Sequence, residues 1–140
     1  PLVLLVSEGH HLSARVKLSL AEVAEEPFVG LAEGSALQSL VANQARRLGG
    51  RIHYRVRLSS LESVCRMVGQ GIGVSIVPKA VATQSEQPNG TIAVALTDAW
   101  AERNLVCAVR RREGLPAHAA KLLSHLLRPA HHAESARGRL

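Results

Sequence analysis

The run from Arg57 to Pro78, RLSSLESVCRMVGQGIGVSIVP, restricts the fold more than any other stretch of this chain. Ser59 followed by Glu62 has the spacing of a capping box. In such a box the serine hydroxyl accepts from the N–H three residues on, and the carboxylate accepts from the serine N–H. A helix therefore begins here. Leu61, Val64, Cys65 and Val68 follow at i, i+3, i+4 and i+7, which is one apolar stripe at helical period. Gly69, Gly71 and Gly73 end that helix and turn the chain into a short buried strand, Val74 to Val77, before Pro78 opens another helix at its first position. A dinucleotide-binding loop needs the order strand, glycines, helix and the spacing GxGxxG, so that phosphate meets a helix N-terminus. Here the order is helix, glycines, strand and the spacing is GxGxG, which makes these glycines a tight turn.

The flanking sequence alternates in the same way. Leu2 to Val6 reads as a strand, followed by a polar loop through His10, His11 and Arg15. Ser19 with Glu22 is a second capping box, opening a helical turn that Pro27 ends. Phe28 to Leu31 is a short strand. Ser35 with Gln38 is a third box, and Leu37, Leu40, Val41, Gln44 and Leu48 form a helical stripe closed by Gly49 and Gly50. Ile52 to Leu58 alternates at period two and reads as a strand. After Pro78 the pattern predicts a helix to about Gln84, then a turn or hinge at SEQPNG. Thr91 to Leu96 and Asn104 to Arg110 are predicted strands separated by a loop bearing Asp98 and Trp100. Leu115 to Leu127 is a predicted helix with Leu115, Ala119, Leu122, Leu123 and Leu126 inward. Strands alternating with helices predict an α/β architecture with a mainly parallel sheet, and the polar, basic stretch 129–140 is expected to be a disordered tail.

Hydrophobic residues make up 46% of the 140, with one Trp, one Tyr and one Phe, so the core must be built from aliphatic side chains. No apolar run approaches the roughly 20 residues of a bilayer helix, and the opening PLVLLVSEG lacks the basic flank of a signal peptide. No membrane association is expected, and the start at Pro1 suggests a piece of a longer protein. Cys65 and Cys107 lack a CxxC spacing and are read as small buried hydrophobes in a reducing compartment. A net charge of +6 and a pI near 10.4 invite nucleic acid. The only tight basic run is Arg110 to Arg112, and no aromatics are interleaved to stack on bases.

Catalysis finds no support. No nucleophile signature surrounds Cys65, Ser75 or Cys107, and the seven histidines show neither HExxH nor paired Cys/His spacing, so no metal and no cofactor is expected. What remains is a place for a ligand. Two capped helices start just after strands, at Ser35 and Ser59. In an open α/β sheet, ligands collect at the carboxyl ends of strands, where helix N-termini present free N–H groups. Ser35 with Ser59 or Ser60 would then share one cleft suited to a carboxylate or other small anion. Capping alone also accounts for such serines, at about 1 kcal/mol each.

The order of elements resembles the effector-binding (substrate-binding) domain of LysR-type transcriptional regulators. The matching stretches are LVLLVSEGHHLSA, SLAEVAEEPFVGL, LSSLESVCRMVGQGIGVSIVPKAVA and LTDAWAERNLVCAVRR with its closing helix, together about Leu2 to Leu127. GQGIGVSIVP is the most characteristic, and His11 stands where the family usually has proline. The resemblance implies a type 2 periplasmic-binding-protein-like fold of two α/β subdomains with a small effector between them. One subdomain would be complete here, residues 1–96 with crossing strands at both ends, and 97–128 would be the C-terminal part of the other.

By the same resemblance, effector contacts fall at Leu31, Ala32, Ser35, Ser59 and Ser60. Members that bind small oxyanions often have a hydroxyl where this chain has Ala32, which speaks against a sulfate-like effector. The resemblance further implies a homo-oligomer in which the helix at 36–47 packs beside a partner helix through Gln38, Ala42 and Ala45. It implies DNA contact only through an N-terminal winged helix-turn-helix absent from this sequence, and a cytoplasmic location. The expected function is sensing of a small polar or anionic metabolite. The alternatives are a free-standing solute-binding protein of the same fold and a small α/β enzyme.

Overall fold

The computed structural model describes residues 1–127 apart from Leu105. The described chain divides into two compact units, the first spanning Pro1–Arg103 and the second beginning at Asn104.

In the first unit, strand β1 (Leu2–Ser7) is apolar at every position up to Val6, a pattern that fits only a strand covered on both faces. Leu2, Leu4 and Val6 accordingly enter one buried cluster, and Val3 and Leu5 another. β1 lies inside a four-stranded sheet with β2 (Lys17–Leu18), β5 (Ser75–Pro78) and β6 (Thr91–Leu96), in the order β2-β6-β1-β5. β3 (Phe28–Leu31) and β4 (Tyr54–Leu58) form a separate parallel pair. Val74 links the two sheets: its carbonyl accepts from the Val29 N–H and its own N–H donates to the Pro27 carbonyl, both at 2.8 Å.

The four-stranded sheet corrects the expectation of mainly parallel pairing. β1 runs antiparallel to both β5 and β6, with Leu4 opposite Ile76 on one side and Val94 on the other. Alternation implies parallel pairing only where a helix crosses over between neighbouring strands. That holds for β3 and β4. β5 and β6 also share one direction, but β1 is inserted between them from far along the chain, and no local pattern specifies its direction.

Helices α1 (Leu20–Val23) and α2 (Ala36–Arg47) bury Leu20, Val23, Val41 and Ala45 in the cluster with Leu4, while α3 (Leu61–Gly69) and α4 (Lys79–Asn89) bury Val64, Cys65, Val68 and Ala82 in the cluster with Leu5. The layers are therefore helix, sheet, helix. The loop after β6 packs into the same unit. Trp100 and Ala101 join the first cluster, and the Asp98 carboxylate accepts from the Leu20 N–H at 2.8 Å, capping a helix 78 residues away in sequence. No local signal announces that cap.

The predicted caps are met in part. Glu22 accepts from the Ser19 N–H at 2.7 Å, as its box requires. In α3 the cap falls on Ser60 instead of Ser59: the Ser60 hydroxyl accepts from the Ser63 N–H at 3.2 Å, and Glu62 turns to Arg66 at 3.1 Å. With Ser60 as the cap, Glu62 is one position too early to reach back. Ser60→Ala is expected to cost about 1 kcal/mol and Ser59→Ala only a few tenths, read from urea unfolding midpoints. Ser35 caps α2 without a side-chain bond, and Gln38 turns inward, so the third box does not form.

The predicted hinge SEQPNG is helix. α4 continues through Pro88 to Asn89 and ends on Gly90 in the left-handed region, at φ 60°. The polar side chains of that stretch bond one another on its inner face rather than breaking it: Ser85 meets Thr91 at 3.1 Å, and the Asn89 amide donates to Ser85 at 3.0 Å.

The second unit holds α5 (Ala117–Leu126). Residues 104 and 106–110 belong to no strand, because an extended stretch becomes one only against a partner and the described residues of this unit supply none. Leu122 and Leu126 are each 58% exposed and Cys107 is exposed, correcting their expected burial. The predicted tail 129–140 lies outside the described residues.

Candidate functional site

β3 and β4 end side by side. Leu31 lies opposite Leu58, and the Ala32 N–H donates to the Leu58 carbonyl at 2.8 Å. Each strand then turns into a helix, β3 through Gly34 at φ 90° into α2 and β4 directly into α3. The N-caps of those helices are Ser35 and Ser60. Parallel strands in register thus bring Leu31, Ala32, Ser35, Ser59 and Ser60 to one edge, as the sequence predicts. Leu31 and Ser35 are half-buried there, and Ala32, Ser59 and Ser60 are exposed. The rim is an open edge, whereas the neighbouring cavities begin with Glu33 and Gly34 on the α2 side and with Leu61 and Glu62 on the α3 side.

Its chemistry is that of a polar anchor. Two helix N-termini offer backbone N–H groups, which favour negative charge. The Ser35 hydroxyl makes no capping bond, while the Ser60 hydroxyl is engaged with Ser63. On one flank Arg57 stands 3.5 Å from Glu33 and stacks on the Tyr54 ring, 4.3 Å from its centroid. Arg55 donates to the Ile72 carbonyl at 3.2 Å, tying β4 to the glycine turn. Sequence reasoning missed both arginines, although Val56 and Leu58 pack toward α3 and strand alternation therefore marks Arg57, between them, as facing the other way.

The helix face predicted to meet a partner is largely internal. Gln38 is 7% and Ala45 1% exposed within their own chain, and only Ala42 is half-exposed; the outward residues of α2 are Ser39, Asn43, Arg46 and Arg47. The stripe is rotated because β3 presents Gly30 to α2. A Cβ there would lie 2.5 Å from Gln38 Oε1, so the absent side chain makes room for Gln38, and Leu48 swings out to 53% exposure.

Away from the rim, His10, His11 and Glu26 come together, with ligand-type atoms within 4.8 Å of one another. Linear spacing conceals this group, since Glu26 arrives from the far end of α1. His11 Nε2 is 3.0 Å and His10 Nε2 3.6 Å from the Glu26 carboxylate, and the rings stack at 4.4 Å. His10 Nδ1 accepts from the Leu12 N–H at 3.2 Å. That bond places the ring proton on Nε2, facing Glu26, so this nitrogen is a donor here rather than a free metal ligand.

Burial, helped by His11 and opposed by Glu26, lowers the His10 pKa from its ordinary value of 6.5. A histidine held neutral by folding stabilises fully above its unfolded value, and that contribution is lost as pH falls below it. The unfolding midpoint is expected to drop between about pH 7 and pH 5, and His10→Gln to flatten that part of the profile. Burial also pushes the Cys65 thiol up, which keeps it protonated and inert.

A model of the LysR substrate binding domain matches residues 1–130. The chain belongs to this family. It is 32% identical over 77 residues to a RuBisCO operon transcriptional regulator of Allochromatium vinosum, covering 55% of this chain and 26% of that protein. HinK, a LysR family transcriptional regulator from Pseudomonas aeruginosa, superposes with a TM-score of 0.59 at 25% identity, over 69% of this chain and 33% of its own. The CcmR regulatory domain of Synechocystis, solved with 2-PG, gives a TM-score of 0.73 at 19% identity over 90% of this chain and 61% of its own. The chain thus spans about a quarter to three fifths of these relatives. Its architecture is that of LysR regulatory domains, the type 2 periplasmic-binding-protein-like fold. Among the described residues, no helix is long and apolar enough to cross a membrane.

Proposed function

We propose that this LysR substrate-binding domain senses a small polar or anionic effector at the rim formed by Leu31, Ala32, Ser35, Ser59 and Ser60. The observation that carries the reading is the shared carboxyl edge of β3 and β4, where two helix N-termini and a free Ser35 hydroxyl meet. The CcmR domain, of like fold, was solved with 2-PG, and an edge with two helix N-termini favours an anion. The rim binds without transforming, since it holds no nucleophile with a base beside it. By the same reading, residues 97–128 would be the C-terminal part of a second subdomain.

In the whole regulator, effector binding favours one arrangement of subdomains and partners over another, and that difference in affinity drives the switch. DNA contact belongs to a separate winged helix-turn-helix. Self-association through α2 would use Ala42 together with the exposed Ser39, Asn43 and Arg46 rather than Gln38 or Ala45.

A thermal-shift screen of small carboxylates and phosphate esters tests the reading. An effector at 100 times its Kd should stabilise the protein by about 2.7 kcal/mol. A compound that the chain chemically converts would instead favour an enzyme.

A further inference from the structure

Gln38 occupies a buried position where packing alone favours leucine. Its Oε1 and the Tyr54 hydroxyl have no hydrogen-bond partner among the described residues, although both are buried. A buried oxygen left unpaired bears its desolvation penalty without a compensating bond. β3 gives up a side chain to admit the pair: a Cβ on Gly30 would lie 2.5 Å from both Gln38 Oε1 and Tyr54 Cε1. The two residues border one cavity of about 420 Å³ between α2 and β4, which Glu33, Gly34, Arg46 and Arg57 also line; it opens on the outward face of α2 proposed above for self-association, so a guest and a partner copy would compete for it. Two guanidinium groups against one carboxylate leave it a net positive charge. Arg57 is held in place by the Tyr54 ring, yet its ion partner Glu33 is loosely placed, at 3.5 Å and 86% exposed. Arg46 is anchored by a bond to Asn43 Oδ1.

We propose that this cavity is a second ligand site, distinct from the rim, for a small carboxylate that also carries a hydroxyl group. The carboxylate takes the place of Glu33 on the Arg57 fork and neutralises Arg46. The hydroxyl donates to Gln38 Oε1, which turns toward the cavity as it gains a partner. The Tyr54 phenol, its pKa raised by burial and only partly opposed by Arg57, remains a proton donor for the same guest. Neutral amides and hydroxyls select a guest with a matching donor because a guest without one leaves them unpaired. Glu33 and Gly34 belong to the loop that carries Ala32 and Ser35, so occupancy here bears directly on the shape of the rim.

The test is an amide and side-chain NMR titration of this chain with lactate, and with propionate as the acid lacking the hydroxyl. Lactate is expected to shift the Gln38 side-chain amide, the Arg57 Nε–H and the Gly34 amide at concentrations about tenfold lower than propionate, the worth of one hydrogen bond. Gln38→Leu should fold at least as stably as the parent and bind the two acids equally. Arg57→Gln, a change at an exposed side chain, should lose both. Equal responses to the two acids in the parent chain, a lactate preference that survives Gln38→Leu, or shifts confined to Ala32, Ser35, Ser59 and Ser60 would each overturn the proposal. The last result would leave the rim reading intact.

Discussion

Replacing Gly73 with alanine is expected to cost the first unit about 3 kcal/mol, near the upper end of what adding a single methyl does. A Cβ at this position would lie 2.3 Å from the Pro27 carbonyl oxygen and 3.0 Å from its carbon. Both are backbone atoms, so no side chain can swing aside. The same carbonyl accepts from the Val74 N–H at 2.8 Å, and the neighbouring Val29 N–H donates to Val74 at 2.8 Å. Relief therefore means breaking the join between β3 and β5. Gly71 supplies the contrast. It has φ 74° and nothing within 4 Å of a Cβ, so alanine there should cost only the left-handed strain, about 1 kcal/mol. Urea midpoints of the two variants separate steric from conformational demand within one glycine run.

Leu4→Ala should lower stability by about 3 kcal/mol, the usual loss for emptying a fully buried leucine site. Leu4 is 0% exposed and lies between Ile76 and Val94 on the two strands that flank β1. Neither neighbour can collapse into the void without shifting a ladder. Val16→Ala, at a side chain 85% exposed, should change the midpoint little. A small effect at Leu4 would mean that β1 is not the centre of this sheet.

These two sites also mark how far the sequence was legible. Uninterrupted apolar character announced β1 as a strand, and the glycine spacing announced the turn into β5. The parallel edge of β3 and β4, which assembles the rim, followed from strand, helix, strand order alone. What escaped were features set by distant partners. Asp98 caps α1 from the far side of the chain. Gly30 draws Gln38 inward, which a helical stripe cannot foresee because the deciding vacancy is on another element. The capping box was read at Ser59, one residue too early, because the Ser59–Glu62 spacing fits the motif while the backbone puts the cap on Ser60. SEQPNG has the composition of a turn, yet its helix survives on bonds among Ser85, Asn89 and Thr91. The stretch after Asn104 has strand character but no strand beside it among the described residues of its unit.

The central claim is that a small anion binds at the joint carboxyl edge of β3 and β4. Backbone amide shifts of this chain titrated with glycerol phosphate, a small anionic ester, test it most directly. The account predicts that the largest changes fall at Ala32, Ser35, Ser59 and Ser60, that they saturate, and that Ser35→Ala weakens them several-fold through the loss of one hydrogen bond. Saturable shifts at residues away from that edge, with Ala32, Ser35, Ser59 and Ser60 unmoved, would contradict it.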